Sequence, residues 1–383
     1  VDVAYRGCAL HMAGHVQGVS TVCNVDPGLA AIHLTATFMQ RRCMTVAFLT
    51  HSTRRPDRRL DFVIDHRFVD VNGLRLHIAE AGPVDGPVAL LLHGFPECWY
   101  SWRHQLTALA AAGFHVVAPD QRGYARSDAP ANVAAYTMLH LVGDAIGVLD
   151  AVGAEQALVV GHDWGAPVAW NTAMLRPDRV RGVVGLSVPL LPRSAGRPTE
   201  GLASRFGAEH YMLYFQEPGV ADAELGADPE RTFRVMLASV SGGRKPQPLT
   251  AAPGKGFLGT RPVPEALPGW LTEADISAYV AEYAEDAGRG FTGGLNWYRN
   301  LDRNWELTAA WAGATTGTPA LYIGGADDPV VLGLDRDSIE AVLRQSLTDL
   351  RGTTLLAGCG HWIQQERPDE VNTALLEFAA RLG

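Results

Sequence analysis

From about residue 62 the hydrophobic positions fall into short runs separated by polar turns. Residues 68–71 and 74–79 flank Asn72-Gly73, a pair suited to both central positions of a tight turn, and predict a hairpin. The run 88–92 is continuously apolar, as in a strand buried on both faces, and 157–160 and 180–186 repeat the pattern. Residues 115–118 read as another strand, ended by Pro119. Helical stretches follow at about 98–112, 137–152 and 164–175; in the second, Leu141, Ala145, Val148 and Leu149 share a core-facing stripe. Strands alternating with helices predict a mostly parallel sheet with helices on both faces and right-handed crossovers.

The alternation stops near residue 190. To about 300 the chain has short helical pieces, with Pro246, Pro248, Pro253, Pro262, Pro264 and Pro268 clustered between two of them. Strands resume at 320–323 and 353–356, and a last helix is predicted at about 368–382. The fold class is therefore α/β: a core in two parts, 62–190 and 301–383, around an inserted helical lid at 191–300. Residues 1–61 show no clean period and end in Arg41, Arg42, Arg54, Arg55, Arg58 and Arg59. They read as an extension expected to pack poorly, either an Arg-rich targeting peptide or, as favoured here, an upstream stretch from a misplaced start.

Composition narrows the function classes. With 383 residues, 47% hydrophobic and 19% charged, the chain is an ordinary globular sequence. No apolar stretch approaches the roughly 18 residues of a membrane span. A net charge of −9 with no dense basic face argues against a nucleic-acid partner. Cys8, Cys23, Cys43, Cys98 and Cys359 form no Cys-x-x-Cys pair; they read as free thiols, which implies a cytoplasmic location and no zinc site.

The chemistry begins at Gly161-His162-Asp163-Trp164-Gly165, between a predicted strand and helix. This is the layout of a nucleophile elbow with Asp in the Ser position. The plain alternative is an Asp capping the next helix. A carboxylate needs no base to be nucleophilic and leaves an alkyl ester on attacking an sp3 carbon, so the target would be an epoxide or a carbon bearing halide. Hydrolysing that ester needs a base and an orienting acid. His361 follows the last predicted strand. Asp328, favoured over Asp327 because it directly precedes Pro329-Val330, follows the strand before. His93-Gly94-Phe95-Pro96 follows the strand 88–92, and the backbone N–H groups of Phe95 and Trp164 would form an oxyanion hole. Phe95–Pro96 is a candidate cis peptide bond. An epoxide, unlike a halide, leaves an alkoxide that needs a proton, which a phenol can supply; Tyr211 and Tyr298 are the lid candidates, against a role in packing alone.

From about residue 65 onward the sequence resembles the soluble epoxide hydrolases of the α/β-hydrolase superfamily. The matching stretches are HGFPECWYSWRHQ, APDQRGYARSD, GHDWGAPVAW, YMLYFQEPGVADAEL, LNWYRN, PALYIGGADD and CGHWIQQERP, in family order. GHDWG is shared with dehalogenases; the two lid stretches are more specific. The resemblance implies Asp163 as nucleophile, His361 as base, Asp328 as its acid, Tyr211 and Tyr298 (not Tyr214) as lid tyrosines, and Phe95 at the oxyanion hole. Phe95, Trp164, Tyr211 and Tyr298 would line the substrate pocket, with Trp164 in its floor. It implies a small apolar epoxide as substrate and a vicinal diol as product, with no metal or organic cofactor. The sequence is compatible with a homodimer. Vertebrate members carry a phosphatase domain ahead of the hydrolase, for which sixty residues are too few. The rival readings are a haloalkane dehalogenase with the same nucleophile and a non-catalytic ligand-binding protein on the same fold.

Overall fold

The computed structural model describes residues 63–244, 249–284 and 290–382. The expectation for residues 1–61 lies outside them. The first strands, β1 (Asp65–Val71) and β2 (Leu74–Ala81), pair antiparallel through Asn72-Gly73, both at positive φ. Then come β3 (Val88–Leu92), α1 (Arg103–Ala111), β4 (His115–Pro119), α2 (Met138–Ala151), β5 (Ala157–His162), α3 (Gly165–Leu175) and β6 (Val180–Leu186). Every residue of β3 and β5 is buried, as their unbroken apolar runs require of strands covered on both faces.

Between β6 and β7 the chain forms α4 (Pro198–Phe206), α5 (Tyr211–Tyr214), α6 (Val220–Gly226), α7 (Pro229–Ser239), α8 (Glu273–Ala284), α9 (Thr292–Tyr298) and α10 (Leu301–Leu307). It returns through β7 (Ala320–Gly325), α11 (Arg336–Leu343), β8 (Leu350–Leu356), α12 (Ile363–Glu366) and α13 (Pro368–Ala380). The described residues of the insert and of the sheet fall in one compact unit. α10 begins just after residue 300 and is tied back to α4 by Thr199 Oγ1 donating to Asp302 Oδ2 at 2.6 Å.

The sheet has eight strands in the order β1-β2-β4-β3-β5-β6-β7-β8, parallel from β4 onward. The chain leaves β3 for β4 on one side and returns to β5 on the other. That reversal opens a crevice beyond the carboxyl ends of β3 and β5, where α/β sheets place their sites. Some details depart from the sequence pattern. The helix expected at 98–112 is a 3-10 turn, Trp99–Trp102, followed by α1. β8 starts three residues early, at Leu350, where exposed Arg351 and then Gly352 interrupt the apolar pattern of this edge strand and hide its start in the sequence. No described helix is long and apolar enough to cross a membrane.

Candidate active site

Asp163 occupies the turn between β5 and α3 with φ +50°, a conformation unusual for a residue with a Cβ. The backbone folds so tightly here that a Cβ on Gly161 would lie 2.0 Å from the carbonyl oxygen of Gly165. One on Gly94, in the loop after β3, would lie 2.3 Å from Asp163 Oδ1. Small residues at these points let the carboxylate rise into the crevice and meet the neighbouring loop. There the Phe95 N–H donates to Asp163 Oδ1 at 2.7 Å. The Phe95–Pro96 bond is cis.

His361 Nε2 lies 3.5 Å from Asp163 Oδ2, and its Nδ1 lies 3.1 Å and 3.3 Å from the two carboxylate oxygens of Asp328. Asp328 is fully buried after β7 and accepts from the Val330 N–H at 2.9 Å. Its neighbour Asp327 turns away and accepts from the Gly243 N–H. The loop carrying His361 is pinned from α12, where Glu366 accepts from the N–H groups of Gly360, Trp362 and Gly242.

Charge sets the protonation pattern. Burial alone would raise the Asp163 carboxyl, but hydrogen bonding and charge from His361, with the Phe95 N–H, hold it below the ordinary aspartate value. Asp328 is likewise depressed: burial opposes ionisation, and the His361 charge with the Ser187 and Val330 hydrogen bonds outweighs it. For His361 burial disfavours the imidazolium, yet Asp328 and Asp163 together carry its pKa well above the usual histidine value.

The insert supplies two phenols. Tyr211 stands at the start of α5 and Tyr298 at the end of α9, with ring centroids 6.0 Å apart. Tyr298 also meets Phe95 and Trp164 edge-on at 5.5 and 5.1 Å. Both phenols are raised above the usual tyrosine value, Tyr211 by burial and then the charges of Asp163 and Asp328, Tyr298 by burial and then Tyr211 and Asp163. They therefore stay protonated at neutral pH. Tyr214 points elsewhere and donates to Glu224 at 2.9 Å.

Three neighbours escaped the sequence reading. Ser187, just after β6 at φ +70°, donates to Asp328 Oδ2 at 2.6 Å and lies 3.0 Å from His361 Nδ1. Its only sequence signal is a hydroxyl at the carboxyl end of a buried strand. His162 bridges the His361 carbonyl oxygen and Glu97, each at 2.7 Å, and Glu97 also accepts from Gln364 and Gln365. A fully buried glutamate directly after His-Gly-Phe-Pro is the clue to that network. Among the described residues no group of three or more His, Cys, Asp or Glu side chains could hold a metal ion.

Comparison with known proteins bears on the family. The α/β-hydrolase-fold family model matches residues 87–368. "Epoxide hydrolase A" of Mycobacterium tuberculosis is 50% identical over 320 residues, 82% of this chain and 97% of the relative. "Epoxide hydrolase 3" of Siraitia grosvenorii is 42% identical over 319 residues, 82% and 98% of the two chains. The crystal structure of epoxide hydrolase A from Mycobacterium thermoresistibile superposes with a TM-score of 0.76 at 51% identity, covering 83% of this chain and 99% of that one. A partly buried aspartate on a left-handed turn, a histidine within its reach and relatives of this closeness converge: the chain belongs to the epoxide hydrolases of the α/β-hydrolase family.

Proposed function

We propose that the enzyme converts a small apolar epoxide and water into a vicinal diol in two steps, through an alkyl ester on Asp163. The observation that carries this reading is the division of the Asp163 carboxylate, with Oδ1 held by the Phe95 N–H at 2.7 Å and Oδ2 facing His361. Oδ2 attacks a ring carbon while Tyr211 and Tyr298 grip the ring oxygen. One phenol gives that oxygen a proton as the C–O bond breaks. Ester formation removes the Asp163 charge, and the His361 imidazolium loses one of the two carboxylates that hold its proton. That proton restores the phenol, and His361 becomes a base.

Neutral His361, oriented by Asp328, then takes a proton from water as the water oxygen attacks the ester carbonyl. The oxyanion forms on Oδ1, against the N–H groups of Phe95 and Trp164. Collapse expels the diol oxygen, which takes the proton of the new carboxylic acid. Asp163 returns as carboxylate and His361 as imidazolium. The paired phenols favour an epoxide over a haloalkane, because a departing halide needs no proton. The rings of Trp164, Phe95 and the insert exclude water and favour apolar substrates.

The test is a single turnover of a stilbene oxide in 18O-water with enzyme in excess. The expected diol carries unlabelled oxygen from the enzyme, and the peptide containing Asp163 gains the label. Label in the diol with none on Asp163 would mean that water attacks the epoxide directly, and the reading would be wrong. Halide release from haloalkanes in place of diol formation would point to the dehalogenase reading.

A further inference from the structure

Two phenols can share one ring oxygen only if their separation is fixed, and the two tyrosine segments are held by different neighbours. Tyr298 belongs to an anchored element: the Trp297 indole donates to the Arg122 carbonyl at 3.1 Å and Asn300 to the Val133 carbonyl at 2.7 Å, both on the core. Tyr211 stands on α5, a single turn. Gly207 and Gly219, both at φ +86° and in open space, bracket its segment. Its backbone is held within the insert, where the Tyr211 N–H donates to the Leu249 carbonyl at 2.9 Å and the Ala251 N–H to the Glu209 carbonyl at 2.8 Å, but neither bond reaches α9.

The tie between the two tyrosine segments comes from Gln216. Its Nε2 donates to the Met212 carbonyl oxygen at 2.8 Å and to the Tyr298 carbonyl oxygen at 2.9 Å. Only the NH2 end of an amide can face two carbonyls, so the partners fix the orientation of the side chain. One bond falls on the residue beside Tyr211, the other on Tyr298 itself. Arg299 braces the same junction from the α9 side. Its Nε donates to the Phe215 carbonyl at 3.1 Å, and its Nη atoms pair with Asp222, which also accepts from the Gly219 N–H at 2.9 Å.

We infer that Gln216 is a positioning residue for ring opening: its amide, braced by the Arg299–Asp222 pair, sets the separation of the Tyr211 and Tyr298 hydroxyls. The inference rests on the assignment of these tyrosines as proton donors. The Gln216 amide bonds to the backbone of the tyrosine segments and not to Asp163, His361 or Asp328, so its loss acts on ester formation and spares ester hydrolysis, which depends on those three.

The experiment compares Gln216→Leu, Gln216→Glu and Tyr298→Phe with the wild type. Single-turnover rates of ester formation and ester hydrolysis are measured over a series of epoxides whose leaving alkoxides differ in basicity. Displacing one donor by about 1 Å slows ester formation by on the order of 10- to 100-fold in Gln216→Leu. The defect is largest for the most basic alkoxides, which need the proton most, while ester hydrolysis keeps its wild-type rate. In Gln216→Glu a carboxylate faces two carbonyls at neutral pH. Its defect relative to wild type at the same pH shrinks on acidification, as the side chain regains a donor. A Gln216→Leu defect that is the same for all alkoxides, or that slows both half-reactions together, assigns Gln216 to folding alone and overturns the inference. So does a Gln216→Glu defect that ignores pH. If Tyr298→Phe also leaves ester formation at the wild-type rate, the tyrosine assignment itself fails; if only Tyr298→Phe is impaired, the bracket alone fails.

Discussion

At the scale of single residues, an imidazolium shared between two carboxylates protects the proposed nucleophile against acid. The folded-state pKa of Asp163 is depressed, so the attacking carboxylate survives as pH falls through the ordinary aspartate range. Both phenols are raised, so they keep their protons as pH climbs. Stopped-flow measurement of ester formation is therefore expected to place its acid limb below about pH 4, the reference aspartate value. A limb centred near pH 5 or 6 would show that burial prevails over His361 and that Asp163 is protonated in the resting enzyme. That Asp163 and His361 would meet was legible from the elbow and the strand order, and Tyr211 and Tyr298 were singled out by the lid stretches of the resemblance. Ser187 was not: a serine after a strand is commonplace, and what makes it a partner of Asp328 and His361 is a positive φ that no side chain announces.

Among the elements, α8 couples the insert to the core through polar side chains. Arg126, after β4, makes two 2.7 Å bonds to Glu282; Tyr279 donates to Gln365 and Tyr283 to the Glu97 carbonyl. Burial, then the Asp120 charge, raises the Glu282 carboxyl, and Arg126 opposes them. Arg126→Met leaves a nearly buried carboxylate without its counter-charge and is expected to cost roughly 2 kcal/mol at neutral pH. A carboxyl raised in the folded state costs stability above its unfolded value and is relieved as it takes up a proton. The variant's deficit in thermal midpoint should therefore be smaller at pH 5 than at pH 8; a deficit equal at both would mean that packing, not charge, holds the tether.

The parallel strands, the hairpin turn and the elbow helix were legible because their apolar runs are unbroken or their turn residues specific. Helices α11 and α12 and the start of β8 were not, because the helices are short and the strand is interrupted by Arg351 and Gly352. The bracket at Gln216 escaped for a different reason. Its partners are backbone carbonyls on segments far apart in the chain, and no local pattern records such a meeting.

For the whole molecule, the proposed chemistry is divided between two sources. Asp163, Asp328 and His361 rise from strand ends of one sheet, and the phenols come from the helices inserted into it. The same insertion shapes how the protein must assemble. β6 is almost wholly buried along its length and pairs with β7 through Val183 and Ala320, across a loop of more than a hundred residues. Closing such a loop costs on the order of 4 kcal/mol in chain entropy before the first β6–β7 bond forms. Pairings this remote in sequence form late. Until then β6 is an open apolar edge that another copy can cover. Refolding from urea should thus lose yield to aggregates as protein concentration rises, at concentrations where the native enzyme stays clear by light scattering; a concentration-independent yield would mean that β7 docks early. An insertion that brings the proton donors to the site also makes the half-built sheet, during each round of synthesis, a template for its own misassembly.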